Sequence, residues 1–115
     1  MIGPGRGPIM REIIKACEDL NYENYEINAI EKNENSIPTL LNYIQENEKK
    51  LKGRVKIIHQ DIRNVVLEEK ADILVSEMLG SFGDNELSPE LIVAAERLFL
   101  KYCFDYFFNK ISYLL

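Results

Sequence analysis

The sequence predicts an α/β domain: an open, mostly parallel sheet in three layers, with helices on both faces. Two observations predict it. Short apolar runs alternate with segments whose apolar residues recur at helical spacing. Loops bearing glycines or an acid then fall directly after the predicted strands, on one rim of the sheet. The 115 residues suffice for one domain and one core.

Met1-Ile2 reads as the last piece of a strand, and GPGRGP (3–8) joins it to a helix over 8–20. That helix carries Ile9, Met10, Ile13, Ile14, Cys17 and Leu20 on one side. Pro8 falls in its first turn, where a missing N–H costs nothing. YEINAI (25–30) reads as the second strand, and 36–51 as a second helix with Ile37, Leu40, Leu41 and Ile44 on its apolar side. RVKII (54–58) is a strand, 61–70 a loop with a helical turn, and ADILVS (71–76) a buried fourth strand. Ser88-Pro89-Glu90 is a helix start, continued by LIVAAERLFLKY. The tail 102–115 packs three Phe and three Tyr into 14 residues without a clear period.

Hydrophobic residues make up 46% and charged residues 29%, an ordinary globular balance. The net charge of −5 argues against non-specific nucleic-acid binding, which needs a basic footprint, and suits a cationic substrate. Cys17 and Cys103 have no metal-ligand spacing and point to a reducing compartment rather than a disulfide framework. His59 is the only histidine, so a His/Cys zinc site is not expected. The N-terminus does not resemble a signal peptide, and no apolar run is long enough to span a bilayer.

Gly3, Gly5 and Gly7 allow a sharp turn and a close approach of ligand to backbone. The following helix aims its free N–H groups at the same place. A dinucleotide loop would read GxGxxG, and Pro8 stands where its third glycine belongs. The spacing here is GxGxG, typical of loops that hold S-adenosylmethionine. Glu31, just after the second strand, is placed to hydrogen-bond both ribose hydroxyls of an adenosine. Asp61, after the third, is placed to accept from the adenine amino group, and the backbone of Ile62 to meet a ring nitrogen. Alone, each has a plain reading: a tight turn, a solvated acid, a cap on the next turn. Their coincidence at successive strand ends, where open parallel sheets bind ligands, favours a site.

Glu77 and Glu86 flank an apolar, glycine-broken loop beyond the fourth strand. Two carboxylates suit a retaining glycosidase or a metal clamp, but neither fits beside an adenosine site. A guanidinium does: it stays protonated, and a carboxylate pair can grip its planar fork and draw charge away from the remaining nitrogen. The plain alternative is a solvated Glu77 at a strand end and a Glu86 preceding a helix start.

SEMLGSFGDNELSPE (76–90) closely resembles the double-glutamate loop of protein arginine methyltransferases, in the form of their symmetric-dimethylating, type II branch. MIGPGRGP resembles that branch's glycine motif, INAIEKN its ribose-binding segment and QDIR its adenine-binding segment. The resemblance runs from Met1 to about Leu100. It implies a Rossmann-like class I S-adenosylmethionine-dependent methyltransferase domain. Gly3, Gly5 and Gly7 would line the methionine part of the cofactor, Glu31 the ribose, and Asp61 and Ile62 the adenine. Glu77 and Glu86 would hold the substrate arginine. Arg6 is a candidate to tie a carboxylate, the cofactor's or that of Glu86. Phe82 is a candidate to wall the pocket, with simple packing favoured.

The resemblance further implies arginine-containing substrates in histone or RNA-processing tails, in cytoplasm and nucleus. It also implies a WD-repeat partner and self-association in the complete family member. Residues 1–101 are expected to be a partial core, truncated at both ends and inactive alone, with 102–115 a divergent tail rather than a domain. Three other readings stand beside it: a nicotinamide oxidoreductase on the same sheet type, a non-catalytic fragment or binding module, and a methyltransferase for a small molecule or nucleic acid.

Overall fold

The computed structural model describes residues 1–76 and, beyond them, Leu91, Val93 and Ala95, which are helical. Its elements run α1 (Pro8–Asp19), β1 (Ile27–Glu31), α2 (Ile37–Glu46), α3 (Glu48–Leu51), β2 (Val55–His59) and a 3₁₀ turn (Ile62–Asn64). β1 and β2 are parallel, with Ile27 opposite Val55 and Glu31 opposite His59. Ile2 makes parallel bridges to Ile30 on one side and to Ser76 on the other. The lateral order is therefore β2, β1, Ile2, Ser76. The chain starts in the middle, winds outward through β1 and β2, and returns to the opposite side of Ile2. The strand order reverses beside that residue.

Alternation along the strands divides the core into two layers. Ile27 and Ala29 of β1 and Val55 of β2 face Met10 and Ile14 of α1, Leu40 of α2 and Leu51 of α3. Ile30 faces the other way, into a cluster with Ile2, Ile62, Val65 and Ala95, which Leu91 and Leu74 border. The α/β class and the parallel sheet expected from the sequence are both present.

α1 ends at Asp19 because Asn21 takes a left-handed conformation, with φ of 50°. The Asn21 N–H donates to Glu18 O at 2.9 Å and the Tyr22 N–H to Cys17 O at 2.7 Å. This is the Schellman arrangement that closes helices. Leu20, expected on the apolar face, lies just past the helix and is 77% exposed.

The single helix expected over 36–51 is broken at Asn47. Its side-chain Nδ2 donates to Tyr43 O at 2.8 Å, and its backbone N–H is shared between Tyr43 O and Ile44 O at 3.2 Å each. An asparagine that bonds the preceding turn competes with continued helix. The run 71–76 is also not a buried fourth strand among the described residues. Its ends carry isolated bridge residues, Ala71 and Ser76, rather than a continuous ladder: Ser76 bridges Ile2 and Val75 O accepts from Ile2 N at 2.9 Å. Ile73, ahead of that pairing, is 75% exposed.

Candidate functional site

Three chain segments end at the same rim: the bridge at Ile2, β1 and β2. The loops that follow them, 3–8, 32–36 and 60–65, surround a cleft of about 520 Å³. Its lining includes Gly3, Gly5, Glu31, Asp61 and Ile62 of the residues singled out by sequence, together with Ile2, Ile30, Lys32, Asn33, Ser36, Gln60, Arg63 and Leu91.

Glu31 is the last residue of β1 and is 7% exposed. Its carboxylate ties two loops to the strand end. Oε2 accepts from the Gly5 N–H and Oε1 from the Asn33 N–H, both at 2.8 Å. Each oxygen thus takes one donor and keeps an acceptor position. Gly5 has φ of 54°, and a Cβ there would meet nothing within 4 Å. The backbone of the glycine loop therefore borders open space directly beside a buried carboxylate.

Gly7 has a different task. It is the N-cap of α1 with φ of 85°, and a Cβ there would lie 3.0 Å from Leu40 Cδ2 and 3.3 Å from Met10 Cε. It lets α1 pack closely on α2 and does not line the cleft. Arg6 is exposed and also stands outside the lining. Its carbonyl accepts from Arg11 Nη2 at 2.7 Å, and among the described residues no carboxylate pairs with its guanidinium.

Asp61 caps the 3₁₀ turn, its Oδ1 accepting from Arg63 N at 3.0 Å and from Arg63 Nε at 2.9 Å. Its Oδ2 accepts from Arg63 Nη2 at 2.6 Å and lies 3.1 Å from Lys32 Nζ. The Arg63 side chain foremost, then the Arg63 backbone N–H and Lys32, hold the Asp61 carboxyl well below the usual carboxylate range. Ile62 follows, 5% exposed, with its side chain in the second core layer. As the first residue of the turn, it leaves its N–H outside the turn's own hydrogen bonding.

Glu77, Glu86 and Phe82 lie outside the described residues. Of the lining, Lys32, Asn33, Ser36, Gln60, Arg63 and Leu91 were not singled out from the sequence. Lys32 and Asn33 follow Glu31 directly, and Gln60 and Arg63 flank Asp61, so proximity to a strand end was the available signal. Leu91 carries no such mark.

The fold and the rim cleft define an α/β domain with a glycine loop and a buried strand-end acid at the carboxyl ends of parallel strands, the place where open parallel sheets bind ligands. Residues 1–103 match the family model described as PRMT5 arginine-N-methyltransferase. The chain belongs to that family. Protein arginine N-methyltransferase 5 of Oryza sativa subsp. indica is 48% identical over 104 residues, which cover 88% of this chain and 15% of that protein. The Drosophila melanogaster protein of the same name is 45% identical over 100 residues, 85% of this chain and 16% of the relative. Protein arginine N-methyltransferase skb1 of Schizosaccharomyces pombe is 39% identical over 92 residues, 80% and 14% respectively. The chain thus spans about 15% of the length of the relatives it matches. The crystal structure of Arabidopsis thaliana protein arginine methyltransferase 10, in an open conformation, shares the fold. Its TM-score is 0.66 at 23% identity, over 87% of this chain and 26% of that one.

Proposed function

We propose that the protein carrying this chain transfers a methyl group from S-adenosylmethionine to the guanidinium of arginine in protein substrates, histone or RNA-processing tails among them. Family membership supports the reaction. The observation that carries the cofactor reading is the pairing of Gly5 with Glu31. A glycine whose missing side chain leaves open space sits hydrogen-bonded to a strand-end carboxylate that is 7% exposed.

The residues present fit an adenosine-bearing ligand. Glu31 has one acceptor position left on each oxygen, matching two ribose hydroxyls. The backbone at Gly3 and Gly5 would face the methionine part. Asp61 would accept from the adenine amino group, and the Ile62 N–H would donate to a ring nitrogen. The cofactor, when bound, supplies the methyl group on its sulfonium. Glu77 and Glu86 would grip the substrate guanidinium and orient one nitrogen, so that position and fixed charge lower the barrier. The proposal extends to a cytoplasmic and nuclear setting, and to a WD-repeat partner and self-association in the whole protein.

Calorimetric titration of the full-length protein with S-adenosylhomocysteine tests the reading, with Glu31→Ala as the control. Saturable binding that the substitution abolishes, together with methylation of arginine peptides, is the expected result. A folded protein that binds NADH and not S-adenosylhomocysteine would replace it with the oxidoreductase reading.

A further inference from the structure

Asp61 and Glu31 stand on the same cleft but differ in how much acceptor capacity they have left. An ionised carboxylate offers about four acceptor positions. Glu31 uses one on each oxygen. Asp61 uses two on each: Arg63 N and Nε on Oδ1, Arg63 Nη2 and Lys32 Nζ on Oδ2. As it stands, Asp61 has no place for a further donor. An adenine amino group can reach it only by displacing a donor already there.

The two donors are held very differently. Arg63 grips Asp61 through its backbone N–H and both ends of its fork, from two residues away in the chain. Lys32 makes a single contact of 3.1 Å from a side chain that is 73% exposed. An exposed ammonium on a flexible stem gains little from such a contact and loses rotamer freedom by making it. Lys32 is the donor that can leave.

We propose that Lys32 occupies, on Asp61, the position that an adenine amino group takes, so that cofactor binding exchanges one for the other while Arg63 keeps the carboxylate fixed. This rests on the cofactor reading above. The exchange keeps the donors to Asp61 at four and returns the ammonium to solvent. Lys32 is thus a positioning residue that acts through Asp61: it keeps the carboxylate aimed and satisfied between cofactors, at some cost in affinity.

The test compares S-adenosylhomocysteine with S-inosylhomocysteine, whose base carries an oxygen at the 6 position in place of the amino group. Affinities are measured by calorimetry on the full-length protein and its Lys32→Met variant. Lys32 is largely solvated, so the substitution leaves packing intact. Removing the competitor should tighten S-adenosylhomocysteine binding roughly 1.5- to 5-fold, the range of an exposed ion pair. At the 6 position the inosine analogue presents an oxygen, which cannot donate to Asp61 and accepts from Lys32 instead, so its affinity should stay level or fall. The preference for the amino base therefore widens, and Lys32→Arg, which keeps the cation, should restore the original ratio. Weaker binding of S-adenosylhomocysteine, or an equal change for both ligands, would overturn the proposal while leaving the cofactor reading in place. No binding of either ligand by the unmodified protein would remove both.

Discussion

Gly5 and Gly7 stand two residues apart in one loop, both with positive φ, and the structure separates their roles sharply enough to measure. At Gly7, an alanine would meet two costs. The left-handed backbone costs an L-residue about 1–2 kcal/mol. Its Cβ would also sit 3.0 Å from Leu40 Cδ2 and 3.3 Å from Met10 Cε. Leu40 and Met10 are both 0% exposed, so neither can yield without disturbing the core. Forcing such a contact adds about 1–3 kcal/mol, for a total of roughly 2–5 kcal/mol. At Gly5 only the backbone cost applies, because nothing lies within 4 Å of the added carbon. Equilibrium urea unfolding should move the Gly7→Ala midpoint down by roughly 1 M or more, given a slope of about 1–3 kcal/mol/M. Gly5→Ala should shift it clearly less, while weakening S-adenosylhomocysteine binding about tenfold or more by filling the space beside Glu31. A Gly7→Ala variant within about 0.5 kcal/mol of the unsubstituted protein would refute the packing argument. Unchanged binding in Gly5→Ala would refute the cradle.

Three further outcomes are expected. Glu31→Ala should abolish cofactor binding and also cost about 1–3 kcal/mol in urea unfolding, since it strips the acceptor from the Gly5 and Asn33 N–H groups; a loss of binding with no loss of stability would mean these bonds hold nothing. The Asp61 carboxyl is kept ionised first by the Arg63 side chain, so its contribution to stability is complete above the ordinary aspartate pKa of about 3.9 and fades only as pH falls below that value. Carboxyl NMR should show no titration of Asp61 between pH 4 and 8, and Arg63→Met should raise its midpoint toward the ordinary value. In the full-length protein, Glu77→Gln and Glu86→Gln should each eliminate methylation of arginine peptides while S-adenosylhomocysteine still binds, and a fully active Glu77→Gln would end the clamp proposal.

What could be read from the sequence follows the physics that each signal reports. Apolar periodicity is local, so α1, β1, β2 and their alternation were legible, and the strand ends came with them. Asn47 broke a helix because its side chain bonds Tyr43 O, a competition that apolar spacing does not record. The exposed Ile73 shows the limit of reading burial from composition, because an apolar run is buried only where a neighbour covers it. At the site, residue type and loop position located Glu31 and Asp61, but not what their oxygens already hold. The bonds from Gly5 to Glu31 and from Lys32 to Asp61 bridge 26 and 29 positions of chain. Only the assembled rim reveals that one carboxylate is half free and the other full. The sequence groups Gly7 with Gly3 and Gly5 because glycines look alike there; the side chains of Leu40 and Met10 distinguish Gly7 from Gly5.

Ile2, 3% exposed, pairs with Ile30 on one flank and Ser76 on the other. Its neighbours in the chain lead straight into the glycine loop, and Glu77 is the residue after Ser76. One position therefore links the glycine loop, β1 and the segment that leads to Glu77, and under the proposed function it would be the common datum for both reactants. The Ile30 side leads into Glu31, the proposed ribose-binding carboxylate, and the Ser76 side is followed in the sequence by Glu77, the first of the two carboxylates proposed to grip the substrate. A displacement along one strand cannot be absorbed before it reaches the other, because no intervening strand takes up the slack. Under the proposed function, the distance a methyl group must cross would be gauged from a single buried isoleucine. Substitutions that alter its size should change alignment, and so turnover, before they change affinity for either ligand.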